Sequence, residues 1–104
     1  MNKSSPAPLE KRAIKMRKEM ADVEKRMGRF VAAGHSKDHV AEVVMDGYHH
    51  VKHIDIDPEW NGDKEVLCDT LTEAFNDACE QIDNEYDLEI SSIVSHYTND
   101  DEGY

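Results

Sequence analysis

The chain has 104 residues, 38% of them apolar and 34% charged, and a formal net charge of −11. That length suits one domain and excludes two, and so small an apolar share favours association over a self-sufficient monomer core. No apolar run approaches the roughly 18–20 residues that cross a bilayer, and MNKSSPAPLEKR lacks the apolar centre of a signal peptide, so no membrane partner is expected.

Residues 1–8 include Ser4, Ser5, Pro6 and Pro8 and are expected to be disordered. A helix is predicted from Leu9. Its apolar positions are Leu9, Ala13, Met16, Met20, Val23, Met27 and Phe30, spaced alternately by four and three residues. That is a heptad a/d stripe. With Ala13 at position a, the outer f column is Lys11, Lys18 and Lys25. Arg12 and Arg26 stand at g, and Lys15 and Arg29 at c. One face is apolar and the opposite face is basic, and Gly28 falls where the last turn loosens or ends. Residues 1–29 hold nine Lys/Arg against four Asp/Glu, whereas residues 30–104 hold three against nineteen. Any contact with nucleic acid is therefore expected from the first segment.

Phe30 to Ala33 reads as a short first strand, followed by a loop at Gly34 to Asp38. Val40 to Met45 is rich in β-branched residues and reads as a strand. Asp46-Gly47 predicts a two-residue type I′ hairpin turn, which needs positive φ at both positions. Tyr48 to Ile56 returns as the next strand, and Pro58, with no N–H for a ladder, ends it. Asn61-Gly62-Asp63 is a turn into a second helix, with Asp63 as N-cap and Glu65 at the positive end of its dipole. The predicted apolar stripe of that helix is Val66, Leu67, Leu71, Ala74, Phe75, Ala78, Ile82 and Tyr86, and the helix is expected to reach about Ser91. Asn76-Asp77 is a polar pair on this helix, read as solvent-facing or as a structural hydrogen bond. The domain is expected to span 9–95, with 96–104 as a disordered acidic tail. The order is helix, two or three antiparallel strands, helix; so little sheet between two long helices again points to an oligomer.

Three features resemble the YbaB/EbfC family of nucleoid-associated DNA-binding proteins. One is the Met-rich heptad helix. Another is the hairpin Val40–Met45, Asp46-Gly47, Tyr48–Ile56, closed by Ile56-Asp57-Pro58. The third is Glu73-Ala74-Phe75-Asn76-Asp77-Ala78 on the second helix. Together they cover roughly residues 9–90. His39 stands where the family usually has glycine, and Glu42 where it commonly has lysine. The resemblance implies an α+β fold, a helix – three-stranded antiparallel sheet – helix protomer that pairs through its sheet into a tweezer-like homodimer. It also implies a cytoplasmic, nucleoid-associated bacterial protein that binds DNA with little sequence preference and influences nucleoid organisation or gene expression, without catalysis or cofactor. On this reading Lys11, Arg12, Lys15, Lys18, Lys25, Arg26 and Arg29 contact phosphates. Val40, Val43, Met45, Ile54 and Ile56 build the sheet and the dimer face. The alternative is a protein–protein interaction module of the same fold, in which the Met-rich seam or the acidic second helix docks a partner.

The histidines compete with this reading. On a regular strand His49, Val51, His53, Asp55 and Asp57 alternate to one side, and His50, Lys52, Ile54 and Ile56 to the other. Side chains two apart on a strand are separated by about 7 Å, so a metal would need ligands from a neighbouring strand, such as His39 or Glu42. There is no Cys-x-x-Cys pair. Cys68 and Cys79 lie eleven positions apart on the predicted helix, about 16 Å, too far to bridge. Inside an amphipathic helix they read as small apolar residues, not nucleophiles, and so few cysteines suit a reducing cytoplasm. No metal, cofactor, small-molecule substrate or catalytic activity is expected.

Overall fold

A computed structural model describes the backbone of residues 8–102 and the side chains of residues 8–98. Helix α1 (Pro8–Arg29) leads into strands β1 (Val31–His35), β2 (Ala41–Asp46) and β3 (Val51–Ile56), and helix α2 (Lys64–Glu102) completes the chain. The strands form one antiparallel sheet in the order β1-β2-β3. Pro8 opens α1, where its fixed φ and missing N–H cost nothing. Of residues 1–8, expected to be disordered, 1–7 lie outside the described residues, and Pro8 is already part of the helix. Asp63 caps α2 as its sequence position predicts: its Oδ1 accepts the Val66 N–H at 2.9 Å.

The sheet turns one face to the helices. Ala32, Ala41, Val43 and Met45 are buried there against Val23 and Met27 of α1 and Ala74, Ala78 and Ile82 of α2. Small residues set the spacing. A Cβ on Gly34 would run into the Ala74 carbonyl and the Ala78 backbone N–H, so only glycine lets α2 lie so close to β1. This is why Gly34 and His35, expected in a loop, belong to the strand: the register continues through Gly34↔Val43 and His35↔Glu42.

The hairpin differs from its predicted form. Gly47 is not at positive φ; the left-handed residue is His49, at φ 66°. The His49 N–H donates to the Asp46 carbonyl at 2.9 Å, and Asp46 Oδ1 accepts the N–H groups of Tyr48 (2.9 Å) and His50 (3.0 Å). This is a type I turn followed by a left-handed residue, a wider loop than the I′ turn. Gly47 is needed instead for proximity, since a Cβ there would meet the Met27 carbonyl. Tyr48 to His50 are therefore loop, and β3 starts at Val51. Val44 faces His53 while Met45 faces Val51, so Lys52 is an extra residue, a bulge. Val51 and His53 consequently lie on opposite faces, against the expected alternation. His39, at φ 59°, occupies the other left-handed position, in the β1–β2 loop. Glycine takes up that conformation without strain.

The seam of α1 is covered by α2. Val23 and Met27 are buried and Met16, Met20 and Phe30 half-buried, while Leu9 is 76% exposed and Ala13 is exposed near the free end. The helical backbone of α2 continues past Ser91 through the stretch expected to be a tail, as far as Glu102. Ile93 and Tyr97 explain part of this, since both are buried in the core cluster. Gly103 and Tyr104 lie outside the described residues. The two helices reach well beyond the sheet, and the molecule measures 73 × 30 × 17 Å. Its radius of gyration is 20.7 Å, whereas a compact chain of this length has about 13 Å.

Two predictions follow from the packing and the loops. Gly34→Ala forces α2 off the sheet and is expected to lower stability by about 2 kcal/mol or more in chemical denaturation. The second concerns acid. Asp38 Oδ1 accepts the Ser36 hydroxyl at 2.6 Å and the Val40 N–H at 3.1 Å, and these bonds hold its carboxyl below the usual range. The His50 and Tyr48 N–H groups do the same for Asp46 against the opposing effect of burial, assisted by the charges of His50 and Lys52. Both groups are more acidic folded than unfolded. Their stabilisation is complete above about pH 4 and lost as pH falls through the folded values. Asp46→Asn is expected to be less stable than wild type at neutral pH and to lose less on acidification, measured by urea titration at each pH.

Candidate nucleic-acid interface

Helix α1 carries the cations. Its apolar residues are drawn to α2 and the sheet, so the opposite face is left to solvent. Lys11, Lys18 and Lys25 are exposed along it, as are Lys15 and Arg29. Successive f-position lysines follow at about 10 Å along the axis. Among the described residues none of these five side chains forms an ion pair. Arg17 is exposed on the same helix; it lies beside the seam in the heptad and was not among the residues expected to contact phosphate, although its charge belongs to the same helix.

Arg12 and Arg26 are placed differently. Arg12 Nη2 donates to the Tyr97 carbonyl at 2.6 Å, and its guanidinium carbon lies 5.9 Å from the centre of the Tyr97 ring. Arg26 holds Glu89 through two bonds, Nη2 to Oε1 at 2.9 Å and Nε to Oε2 at 3.3 Å. That pairing raises the Arg26 pKa and lowers that of Glu89. At the g position a side chain leans toward the neighbouring helix, so these two arginines join α1 to α2.

Helix α2 is the acidic counterpart. Glu65, Asp69, Glu80, Asp83 and Asp87 are exposed. Three other polar residues clamp the β1 edge. Gln81 Nε2 donates to the Ala33 carbonyl (2.9 Å), Asp77 Oδ2 accepts the His35 N–H (2.9 Å), and Glu73 Oε1 accepts the Lys37 N–H (3.0 Å). Four residues of helix advance about 6 Å and two residues of strand about 6.8 Å. Helix positions 73, 77 and 81 therefore match strand positions 37, 35 and 33. Asp77 makes the structural hydrogen bond that was one reading of Asn76-Asp77, while Asn76 is exposed.

The β3 edge is treated otherwise. Neither helix packs on it, and among the described residues no helix side chain bonds its backbone. Of the expected sheet and dimer residues, Val43 and Met45 are buried, Val40 and Ile56 half-buried, and Ile54 is 49% exposed. Ile54 shares an open apolar cavity of about 230 Å³ with Val43, Leu71, Thr72 and Phe75, and Phe75 is itself 41% exposed.

The histidines disperse. His49 Nε2 lies 3.1 Å from Asp83, His35 Nε2 2.9 Å from Glu42, and His50 Nδ1 3.5 Å from Asp46. Among the described residues no three His, Cys, Asp or Glu side chains come together to hold a metal ion. Cys68 is exposed. The Cys79 thiol lies 3.8 Å from the Met45 sulfur, and burial, with Asp83 nearby, pushes its pKa up, which suppresses the thiolate a nucleophile needs. No helix among the described residues is long and apolar enough to cross a membrane.

The arrangement defines a small α+β protomer with its charge divided between a basic and an acidic helix. Compared with known proteins, residues 4–97 match the model of the YbaB/EbfC DNA-binding family, and the chain belongs to that family. That family is one of DNA-binding proteins. Among solved structures, the uncharacterized protein HP0035 from Helicobacter pylori has the same fold, with a TM-score of 0.62 at 21% identity over 73% of this chain and 90% of that one.

Proposed function

We infer that the protein acts as a homodimer in the bacterial cytoplasm, associated with the nucleoid. On this reading it grips DNA through the phosphate backbone and influences nucleoid organisation or gene expression. The observation that carries the reading is the exposed row Lys11, Lys18 and Lys25, flanked by Lys15 and Arg29, on a family member's first helix. Lysines without a base-reading element favour phosphate contact and weak sequence preference. The acidic face of α2 repels the duplex, which restricts its approach to the α1 side. Arg12 and Arg26 then serve mainly to hold α1 on α2, and Arg17 joins the phosphate-contacting set. The homodimer is supported by the open β3 edge and the exposed Ile54–Phe75 surface beside it, because an unprotected strand edge is a template for another strand.

The test is a mobility-shift titration of the full chain on duplex DNA across salt concentrations. If both copies place the three f-position lysines on phosphates, about six contacts, affinity falls about a thousandfold between 50 and 200 mM salt. Lys11/Lys18/Lys25→Glu is expected to abolish the shift while sedimentation still reports a dimer. Wild-type protein that binds no duplex at low salt overturns the reading. A partner protein captured through a nuclease-resistant contact would then favour the interaction-module alternative.

A further inference from the structure

The homodimer reading leaves open how two sheets meet, and β3 itself narrows the choice. The Asp57 N–H donates to the Val40 carbonyl at 2.8 Å, and Asp55 and His53 stand opposite Glu42 and Val44. In an antiparallel ladder every second residue turns its backbone groups to the neighbour. Asp57, Asp55 and His53 therefore bond β2, and Ile54 and Ile56 direct their N–H and C=O groups outward. A second β3 across a twofold axis must pair outward residues with outward residues. Near the middle of the strand this leaves Ile54 facing its own copy, Asp55 facing Asp55, or His53 facing His53.

We propose that the partner is a second copy of this chain added antiparallel at β3 with Ile54 opposite the partner's Ile54, and that His53 of each copy pairs with the partner's Asp55. The alternatives place like groups directly opposite, which a cross-strand pair disfavours. This register sets imidazole against carboxylate twice by symmetry. It also brings the two Ile54 side chains together on the helix-bearing face, since Ile54 lies opposite buried Val43. Each then helps close the cavity lined by Leu71 and Phe75. The clamped β1 edge offers no such site. The proposal rests on the homodimer reading and adds to it a register and a dependence on pH.

The charged groups around His53 come from the sheet alone. Asp55 lies two residues along β3. Glu42 lies diagonally on β2 and is bound to His35 of β1. Asp46, at the other diagonal, already holds His50 and Lys52. An imidazolium opposite the partner's carboxylate favours the dimer, so association takes up protons. It is therefore stronger at lower pH and weaker at higher pH.

The experiment is sedimentation equilibrium on the full chain at two pH values, about 6 and about 8. The wild-type dimer is expected to be tighter at the lower pH by about fivefold. His53→Asp and Asp55→His each set like groups across the interface and weaken their own homodimers. Mixed in equal amounts they restore both pairs and form the heterodimer preferentially. Ile54→Cys chains are expected to cross-link to each other at that position on oxidation. A dimer with the same constant in both single variants and in their mixture, without that cross-link, overturns this register while leaving the dimer standing. A chain that remains monomeric throughout overturns both.

Discussion

The close approach of α2 to β1 is the constraint from which the rest of the architecture follows. It depends on Gly34 against the backbone of Ala74 and Ala78, and on Glu73, Asp77 and Gln81 bonding the strand edge. Helix and strand have nearly commensurate repeats over this length, so one row of side chains satisfies three backbone groups in succession. A helix pinned to one edge of a three-stranded sheet leaves the other edge uncovered. The exposed Ile54 and Phe75 are consequences of that placement.

The same placement organises charge. Helix α1 has no extensive sheet contact of its own; it is carried on α2 through Val23, Met27, Tyr97 and the Arg26–Glu89 pair. Its cationic face is thereby held outward, while the acids of α2 occupy the complementary surface. In a chain with a net charge of −11, a cationic surface attracts a polyanion only if it stands apart from the acidic body, because screening extends over about 8 Å at physiological salt. Helices that project beyond the sheet provide that separation.

Local signals were legible where a residue acts on its own neighbours. Asp63 caps its helix, Pro58 ends its strand, and the f-position lysines follow from the period of α1. The signals that misled were those whose outcome depends on distant chain. Asp46-Gly47 has the composition of a tight I′ turn, yet Gly47 is there to admit the Met27 carbonyl and His49 takes the left-handed angle. The sequence ends α2 near Ser91, with Ile93 and Val94 still able to pack; its acidic end does not reveal that Tyr97 is also buried, with Arg12 of α1 on its carbonyl. The alternation expected to put His49, Val51 and His53 on one face of a strand fails because a bulge at Lys52 separates His53 from Val51, and His49, in the loop, turns to Asp83.

By itself, then, the sequence determined the element order, the family, the basic face of α1 and the presence of a thin core. These depend on periodicity and composition, which act over a few residues. Tertiary structure alone decided what engages the cations: the heptad sets Arg12 and Arg26 at g, beside the seam, but only the packed α2 supplies the Tyr97 carbonyl and the Glu89 carboxylate that hold them. It also decided which sheet edge is clamped and which is open. Both strands have the composition of an edge, and only the position of α2, set by backbone contact at Gly34, separates them.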